Sequence, residues 1–120
     1  MSGRGELGSA IRRSLSRALE SILGASGLSA LRFHVERRLG MDMYDALCED
    51  PRGFYSAVEG VLGGGAEALM RRTLLWLVQN GCLSAGEHEV DSLLRLLKEG
   101  GEGAANIIIS LFRRSLGEGC

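Results

Sequence analysis

The chain has 120 residues, of which 45% are hydrophobic and 24% charged, and its net charge is −1. This length and composition suit one folded domain with a buried core and exclude a disordered chain. A net charge near zero gives no overall attraction to nucleic acid or to anionic membranes. Because only 5% of the residues are aromatic, aliphatic side chains must fill most of the core.

The first forty residues predict two helices separated by glycines. Residues 1–8 are expected to form a flexible N-terminus, and Ser9 to cap a first helix. Glycines within residues 24–27 should interrupt that helix. A second helix is predicted over residues 28–39, where Gly40 ends it. Its predicted inward-facing residues are Leu28, Leu31, Val35 and Leu39. The apolar residues on one face of the first helix are Ile11, Leu15, Ala18, Leu19, Ile22 and Leu23.

The middle of the chain contains the clearest helix-start signal, Asp50 followed by Pro51. The Asp side chain can accept hydrogen bonds from free N–H groups, and proline fixes φ where no N–H bond is needed. The helix that begins there should end at the glycines of residues 63–65. Just before it, Asp42 is expected to begin a short helix that reaches about Cys48. The side chains predicted to face inward from the helix after Pro51 are Phe54, Val58, Val61 and Leu62.

Residues 66–79 form the most apolar predicted helix. Its broad apolar stripe consists of Leu69, Met70, Thr73, Leu74, Leu77 and Val78. Leu75 and Trp76 lie outside that stripe, so this helix is apolar on more than one side. It is therefore predicted to be a central helix, or one that also contacts a partner.

Two further helices complete the prediction. Ser84 and Glu87 fit the capping-box pattern S-x-x-E and predict the start of a helix. Residues 99–103 should be a flexible joint, and residues 104–116 a C-terminal helix. No strand-like alternation of useful length is present. The sequence therefore predicts an all-α fold, a compact bundle of five to six short helices that forms a single domain over residues 1–120.

Part of this helical pattern is similar to a known family. The motifs are LRFHVERRLG at residues 31–40, Asp-Pro at 50–51 followed by Phe54, VLG at 61–63 and AE at 66–67. In this order they resemble the archaeal Nitrosopumilus output domain family, a small helical domain of unknown function, over residues 28–79. The resemblance implies a module that occurs alone or as the tail of sensory or regulatory proteins, and it implies no catalytic or binding residue. The chain beyond Cys82 departs from the family pattern.

No arrangement typical of an enzyme or a metal site is present in the sequence. The two histidines, His34 and His88, belong to no H-E-x-x-H motif, and no C-x-x-C pair occurs. Glycines before Ala66 could bind an anion through their N–H groups, but the end of one helix and the start of the next explains them better. We therefore expect no catalytic residue, no metal and no cofactor.

The cysteines and the hydropathy pattern bear on cellular location. Cys48, Cys82 and Cys120 have no regular spacing, their number is odd and no signal peptide is recognised. These features favour a cytoplasmic chain with reduced thiols. No apolar run approaches the ~20 residues that span a bilayer, so no membrane association is expected.

Arginine doublets recur on the predicted helices and allow an alternative function. If they converged on one face, they could bind phosphates. Helix-turn-helix recognition would also need polar side chains that read bases, whereas the helices that follow short turns here are apolar. Solvated helix edges are the simpler interpretation. The candidate residues for anion or nucleic-acid binding are Arg12, Arg13, Arg17, Arg71 and Arg72.

The C-terminal helix has more apolar surface than one neighbouring layer can bury. Ile107, Ile108 and Ile109 are consecutive and cover about 300° of a helix at ~100° per residue. We therefore predict a homodimer to which this helix contributes, the alternative being a helix that is central in its own monomer. The predicted interface residues are Ile107, Ile109, Leu111, Phe112, Leu116 and Trp76.

Taken together, these patterns favour a small non-enzymatic interaction or regulatory module. It is predicted to act as a homodimer in archaeal signalling or regulation, where the archaeal and regulatory setting comes from the family resemblance. The alternative is a nucleic-acid-associated protein that binds through its arginine doublets.

Overall fold

A computed structural model describes residues 2–116, and the surroundings of the side chains for residues 7–114. Six α-helices make up the described part, which contains no strand, so the predicted all-α bundle is confirmed. The radius of gyration of 13.1 Å is near the value of about 13.6 Å expected for a compact domain of this length. The helices are α1 (Ser2–Leu39), α2 (Met43–Glu49), α3 (Pro51–Leu62), α4 (Gly65–Gln79), α5 (Val90–Glu99) and α6 (Ala104–Leu116).

Helix α1 combines the first two predicted helices and bends between them. The bend is at Gly24, whose φ of 80° and ψ of 168° are not helical and belong to a region open almost only to glycine. The predicted interruption is therefore confirmed at this residue. The predicted cap at Ser9 is wrong, because α1 already begins at Ser2. Leu7 explains part of this extension, since it lies one helical turn before Ile11 and packs against the core.

Two aspartates begin α2 and α3, as predicted. Oδ1 of Asp42 accepts hydrogen bonds from the backbone N–H groups of Tyr44 at 2.9 Å and Asp45 at 3.0 Å. Oδ1 of Asp50 accepts one from the N–H of Gly53 at 3.1 Å, and Pro51 occupies the first turn of α3. Each aspartate thus satisfies donors that the first turn of a helix leaves free.

The predicted capping box at Ser84 is wrong in its position. The N–H of Ser84 donates to the carbonyl of Leu111 at 3.1 Å, which binds this loop to α6. Half of such a box forms two residues later, where the N–H of Gly86 donates to Oε1 of Glu89 at 2.8 Å, while the N–H of Glu89 donates to the backbone carbonyl of Gly86. A 3₁₀ turn at Glu87–Glu89 follows and leads into α5.

The core lies where α1, α3 and α4 meet. Helix α1 packs against α2, α3, α4 and α6, while α5 covers α3 and α4. On α4 the predicted stripe is buried, apart from Val78, which is only partly buried. Thr73 is fully buried, and its Oγ1 donates to the carbonyl of Leu69 at 2.7 Å, so its hydroxyl is satisfied. These contacts support the central position predicted for α4.

The cysteines differ in state. Cys48 is a free thiol that is partly buried, and this burial raises its pKa to about 11. Cys82 is buried and disulfide-bonded, so the expectation of reduced thiols is wrong for this residue. The reason is that the spacing of cysteines along a chain does not fix the redox state of their thiols. Cys120 lies outside the described residues.

Candidate interaction surface

A surface groove runs between the second half of α1 and the end of α3. We call its apolar part, of about 250 Å³, the apolar pocket. The α1 residues that line it are spaced 4, 3, 1 and 3 apart, which places them on one face of the helix. The lining residues are Leu23, Gly27, Ala30, Leu31, His34, Val61 and Leu62.

The groove continues into a second part of about 380 Å³, here called the cationic pocket, which is lined by His34, Arg37, Arg38, Gly60 and Val61. Both pockets share His34 and Val61, so they form one continuous surface. A Cβ atom at Gly60 would lie 2.6 Å from Nη1 of Arg38. The missing side chain at Gly60 therefore lets this guanidinium lie directly against α3.

An exposed aromatic ring stands beside the groove. Phe33 is 57% exposed, the highest value among the large hydrophobic side chains of the described residues. Its ring meets the His34 ring edge-on with 5.2 Å between centroids, and the Arg37 guanidinium lies 5.6 Å from the Phe33 centroid. Leu62 is 39% exposed, so its predicted inward orientation is wrong. The last turn of α3 reaches past the core, which leaves Leu62 at the mouth of the groove.

A charged cluster connects the two halves of α1 to α2. Nη1 of Arg12 donates to Oδ2 of Asp42 at 2.8 Å, and Nη2 of Arg32 lies 3.1 Å from Oε2 of Glu36 and 3.5 Å from Oδ2 of Asp42. Both guanidiniums lie 5.1 Å from the centroid of the Tyr44 ring. These arginines are therefore paired within the chain and link α1 to the start of α2.

The ionisation of Asp42 reflects its place in this cluster. Partial burial raises its pKa, but the hydrogen bond from Arg12 and those from the N–H groups of Asp45 and Tyr44 outweigh burial. The net effect is a pKa below the usual value for aspartate. The hydrogen bond to Asp42 in turn raises the pKa of Arg12. Both groups are consequently charged at neutral pH.

The arginines predicted to bind anions are only partly free to do so. Arg12 is paired with Asp42, and Arg71 donates to Asp91 at 3.1 Å and to Glu67 at 3.4 Å. The guanidinium of Arg17 lies 5.9 Å from the centroid of the Trp76 ring. Within the part of the chain that the structure describes, no ion pair engages Arg13, Arg17 or Arg72, which are exposed. Two members of the predicted set are thus neutralised by carboxylates of the same chain.

The predicted interface residues do not share one exposed face. Ile107 is 48% exposed, but its neighbours Asn106 and Ser110 are exposed polar residues. Phe112 is 1% exposed and packs with Ile108 inside the chain's own core, because their spacing of four points both the same way. Partly buried positions are Ile109, Leu111 and Trp76, whereas the side chain of Leu116 lies outside the described residues.

The groove is the feature that sequence reasoning did not find. Leu31 is predicted to face inward on one helix and Val61 and Leu62 on another, and nothing in the periodicity shows that these two faces adjoin. One signal was available: Phe33 lies outside the predicted inner face of its helix, between Arg32 and His34. A large aromatic residue on a polar helix face indicates a contact surface.

Neither a cluster of metal-ligating side chains nor a membrane-spanning helix is found among the described residues. No group of three or more His, Cys, Asp or Glu side chains among them is placed to hold a metal ion. None of the helices in the described range combines the length and the hydropathy required to cross a membrane.

Comparison with known proteins gives no relative for this chain: no protein-family model, no curated protein and no solved structure matches it. The resemblance of residues 28–79 to the archaeal output domain family therefore stays a prediction.

Proposed function

We propose that the protein is a small non-enzymatic interaction module that binds another protein through the groove between α1 and α3. One observation carries this proposal: the exposed Leu62 lines the apolar pocket, and the exposed Phe33 contacts His34, which lines both pockets. Burial of apolar surface contributes about 25 cal/mol per Å², and surface left in contact with water lacks this contribution. Exposed apolar surface of this kind is typical of sites that bind other proteins.

The lining of the groove favours binding over catalysis. Its polar side chains are the imidazole of His34 and the guanidiniums of Arg37 and Arg38. An arginine stays protonated and does not exchange protons at physiological pH. Among the described residues that line the groove there is neither a carboxylate nor a nucleophile for His34 to activate. The proposal of a non-enzymatic role is based on this combination.

The regulatory setting of the proposal comes from the family resemblance. A module that binds one segment of another protein suits the regulatory position that this resemblance implies for residues 28–79. The nucleic-acid alternative has less support, because carboxylates of the chain itself pair with Arg12 and Arg71.

Selection of binders from a displayed library of helical peptides tests the proposal. Phe33→Glu and Leu62→Glu each place a charge at an exposed position of the groove, so the fold should be kept, as circular dichroism can verify. We expect the selected peptides to lose at least about 10-fold in affinity for either variant, since buried charges at an interface are strongly disfavoured.

Ala68→Glu is the matched control, because it adds the same charge at an exposed apolar position on another helix, α4. It should leave the affinity of the selected peptides unchanged. Binders that are lost with Ala68→Glu and kept with the groove variants would place the contact surface on α4 and contradict the proposal. A library that yields no binder at micromolar concentration would contradict it as well.

A further inference from the structure

We infer that the groove binds an amphipathic helix whose apolar side chains fill the apolar pocket and whose carboxylates, grouped at one end, meet Arg37 and Arg38. This inference rests on the proposed function and adds the chemical class of the partner. It comes from the arrangement of the two pockets, which places an apolar section and a cationic section in a line along α1.

The length of the groove suits about three turns of helix. From Gly27 to Arg38, α1 is continuous beyond its bend at Gly24, and this distance corresponds to ~16 Å at 1.5 Å per residue. A partner helix laid along it would present side chains at positions i, i+3 or i+4, and i+7, the pattern by which helices bind in grooves. One leucine-sized side chain could then lie in the apolar pocket against Leu62 and Val61.

The cationic pocket defines what the end of the partner must carry. In the described part of the chain, Arg12, Arg32 and Arg71 are paired with carboxylates, whereas Arg37 and Arg38 are not. Both free guanidiniums are already placed, Arg37 over Phe33 and Arg38 against Gly60. A guanidinium binds a carboxylate through two parallel N–H groups, and a side chain that is already placed loses less freedom on binding. Carboxylates at one end of the partner therefore complete this pocket.

A second copy of this chain fits the groove less well. In a two-fold dimer whose axis passes through the groove, each groove would face the groove of the other subunit. Neither pocket is lined by a carboxylate among the described residues, so the cationic pocket would meet arginines or apolar side chains. A hydrocarbon chain also fits the groove less well, because the outer side of that chain and the Phe33 ring would stay exposed to water. A helix would cover the groove and present its own polar face to water.

Designed peptide probes test the inference. All have the same length, about three helical turns, and the same leucine spacing. One carries glutamates in its terminal turn, one carries lysines there and one carries glutamines, and each is made with this group at either end. Fluorescence anisotropy gives the affinities, and amide chemical shifts of the ¹⁵N-labelled protein show which residues the peptide contacts.

We expect the glutamate probe to bind at least about 10-fold tighter than the glutamine probe, and the lysine probe to bind weakest. This preference should diminish as salt is added. The double variant Arg37→Glu/Arg38→Glu should reverse the order, so that the lysine probe binds best. Arg113→Glu/Arg114→Glu makes the same charge change at exposed positions of α6 and should keep the original order.

The remaining outcomes separate this inference from the proposed function. Equal affinities for the three probes, with shifts confined to groove residues, would overturn the acidic partner and leave the interaction module standing. Absence of any shift at the groove residues with every probe would overturn both. A wild-type dimer that Phe33→Glu dissociates would overturn the inference by making a second copy the occupant.

Discussion

Asp42 shows how one side chain can combine a local and a long-range task. It caps α2 through two backbone N–H groups, and it pairs with Arg12, which lies 30 positions away in the sequence. Asparagine can replace aspartate as a cap, but it carries no charge for the pair. The substitution Asp42→Asn therefore separates the two tasks.

We expect Asp42→Asn to lower the free energy of unfolding by about 0.5–1 kcal/mol at pH 7. Because the folded pKa of Asp42 is lowered, its charge stabilises the fold above the unfolded pKa of about 3.9, and this stabilisation is lost as the pH falls through the folded pKa. Urea melts from pH 7 to pH 2 should show the difference between variant and wild type disappearing in acid.

Glu20→Gln provides the control, since Glu20 is exposed and lies outside the charged cluster. It should change the unfolding free energy little across this pH range. An effect of Asp42→Asn that is the same at pH 7 and in acid would show that the charge of Asp42 contributes nothing.

For single residues, the sequence predicts those side-chain contacts whose partners are near neighbours along the chain. The caps at Asp42 and Asp50 could be predicted because their N–H partners lie only two or three residues away. The contact of Arg38 with Gly60 could not, because the fold alone brings these two positions together.

Among the helices, the bend in α1 depends on a single residue. Gly24 combines a positive φ with an extended ψ, and a Cβ atom added there would meet nothing within 4 Å. A side chain at this position would therefore find space, but a residue that carries one would be strained in this backbone conformation. The bend separates the half of α1 that holds Arg12 from the half that lines most of the groove.

Gly24→Ala should destabilise the fold by about 1–3 kcal/mol, because alanine is strained in this backbone conformation and glycine is not. Gly8→Ala is the matched control: it lies in the same helix, its added Cβ also has open space, and its φ is not positive. That control should gain up to about 1 kcal/mol from helix propensity. Thermal melts of both variants measure the contrast, and a neutral Gly24→Ala would mean that α1 does not need this bend.

Helix α6 shows that apolar periodicity does not predict which neighbouring helices a helix packs against. Three consecutive isoleucines predict a large apolar circumference, and the structure directs Ile108 and Phe112 into the core. The apolar pattern gives the amount of surface to be buried. Which neighbours bury it depends on α1 and α2, which are distant in sequence.

For the whole molecule, opposite charges from two parts of the sequence meet within one chain: residues 1–40 hold seven Arg against three Glu, and residues 41–70 hold six Asp and Glu against one Arg. The arginine-rich start pairs with the acidic stretch that follows it, through Arg12 with Asp42 and Asp45. The groove arises in the same way, from α1 and α3 together. Periodicity predicts each helix and its inner face, but not which faces adjoin, so the fold class was predictable and the groove was not.

The homodimer remains a prediction, and the positions of the α6 side chains sharpen its test. Removing α6 would also remove Phe112 from the core, so Ile107→Glu is the better variant. Light scattering should give twice the chain mass of 12.9 kDa for the wild type and the single mass for Ile107→Glu. Leu62→Glu, the control in the groove, should stay dimeric. A monomeric wild type would reject the dimer, and a dimeric Ile107→Glu would reject the role of α6.

The position of α1 in the fold also has a consequence for synthesis. Every helix that α1 packs against follows it along the chain, and the last residue of α4 is Gln79. The ribosome adds about 5–20 residues per second, so the 40 residues from Gly40 to Gln79 take roughly 2–8 s to follow. During that interval α2 and α3 follow α1 and can begin to cover its apolar stripe, and α4 completes most of this cover. The stripe of α1 is therefore buried in steps as the chain is made, and the last step waits for α6.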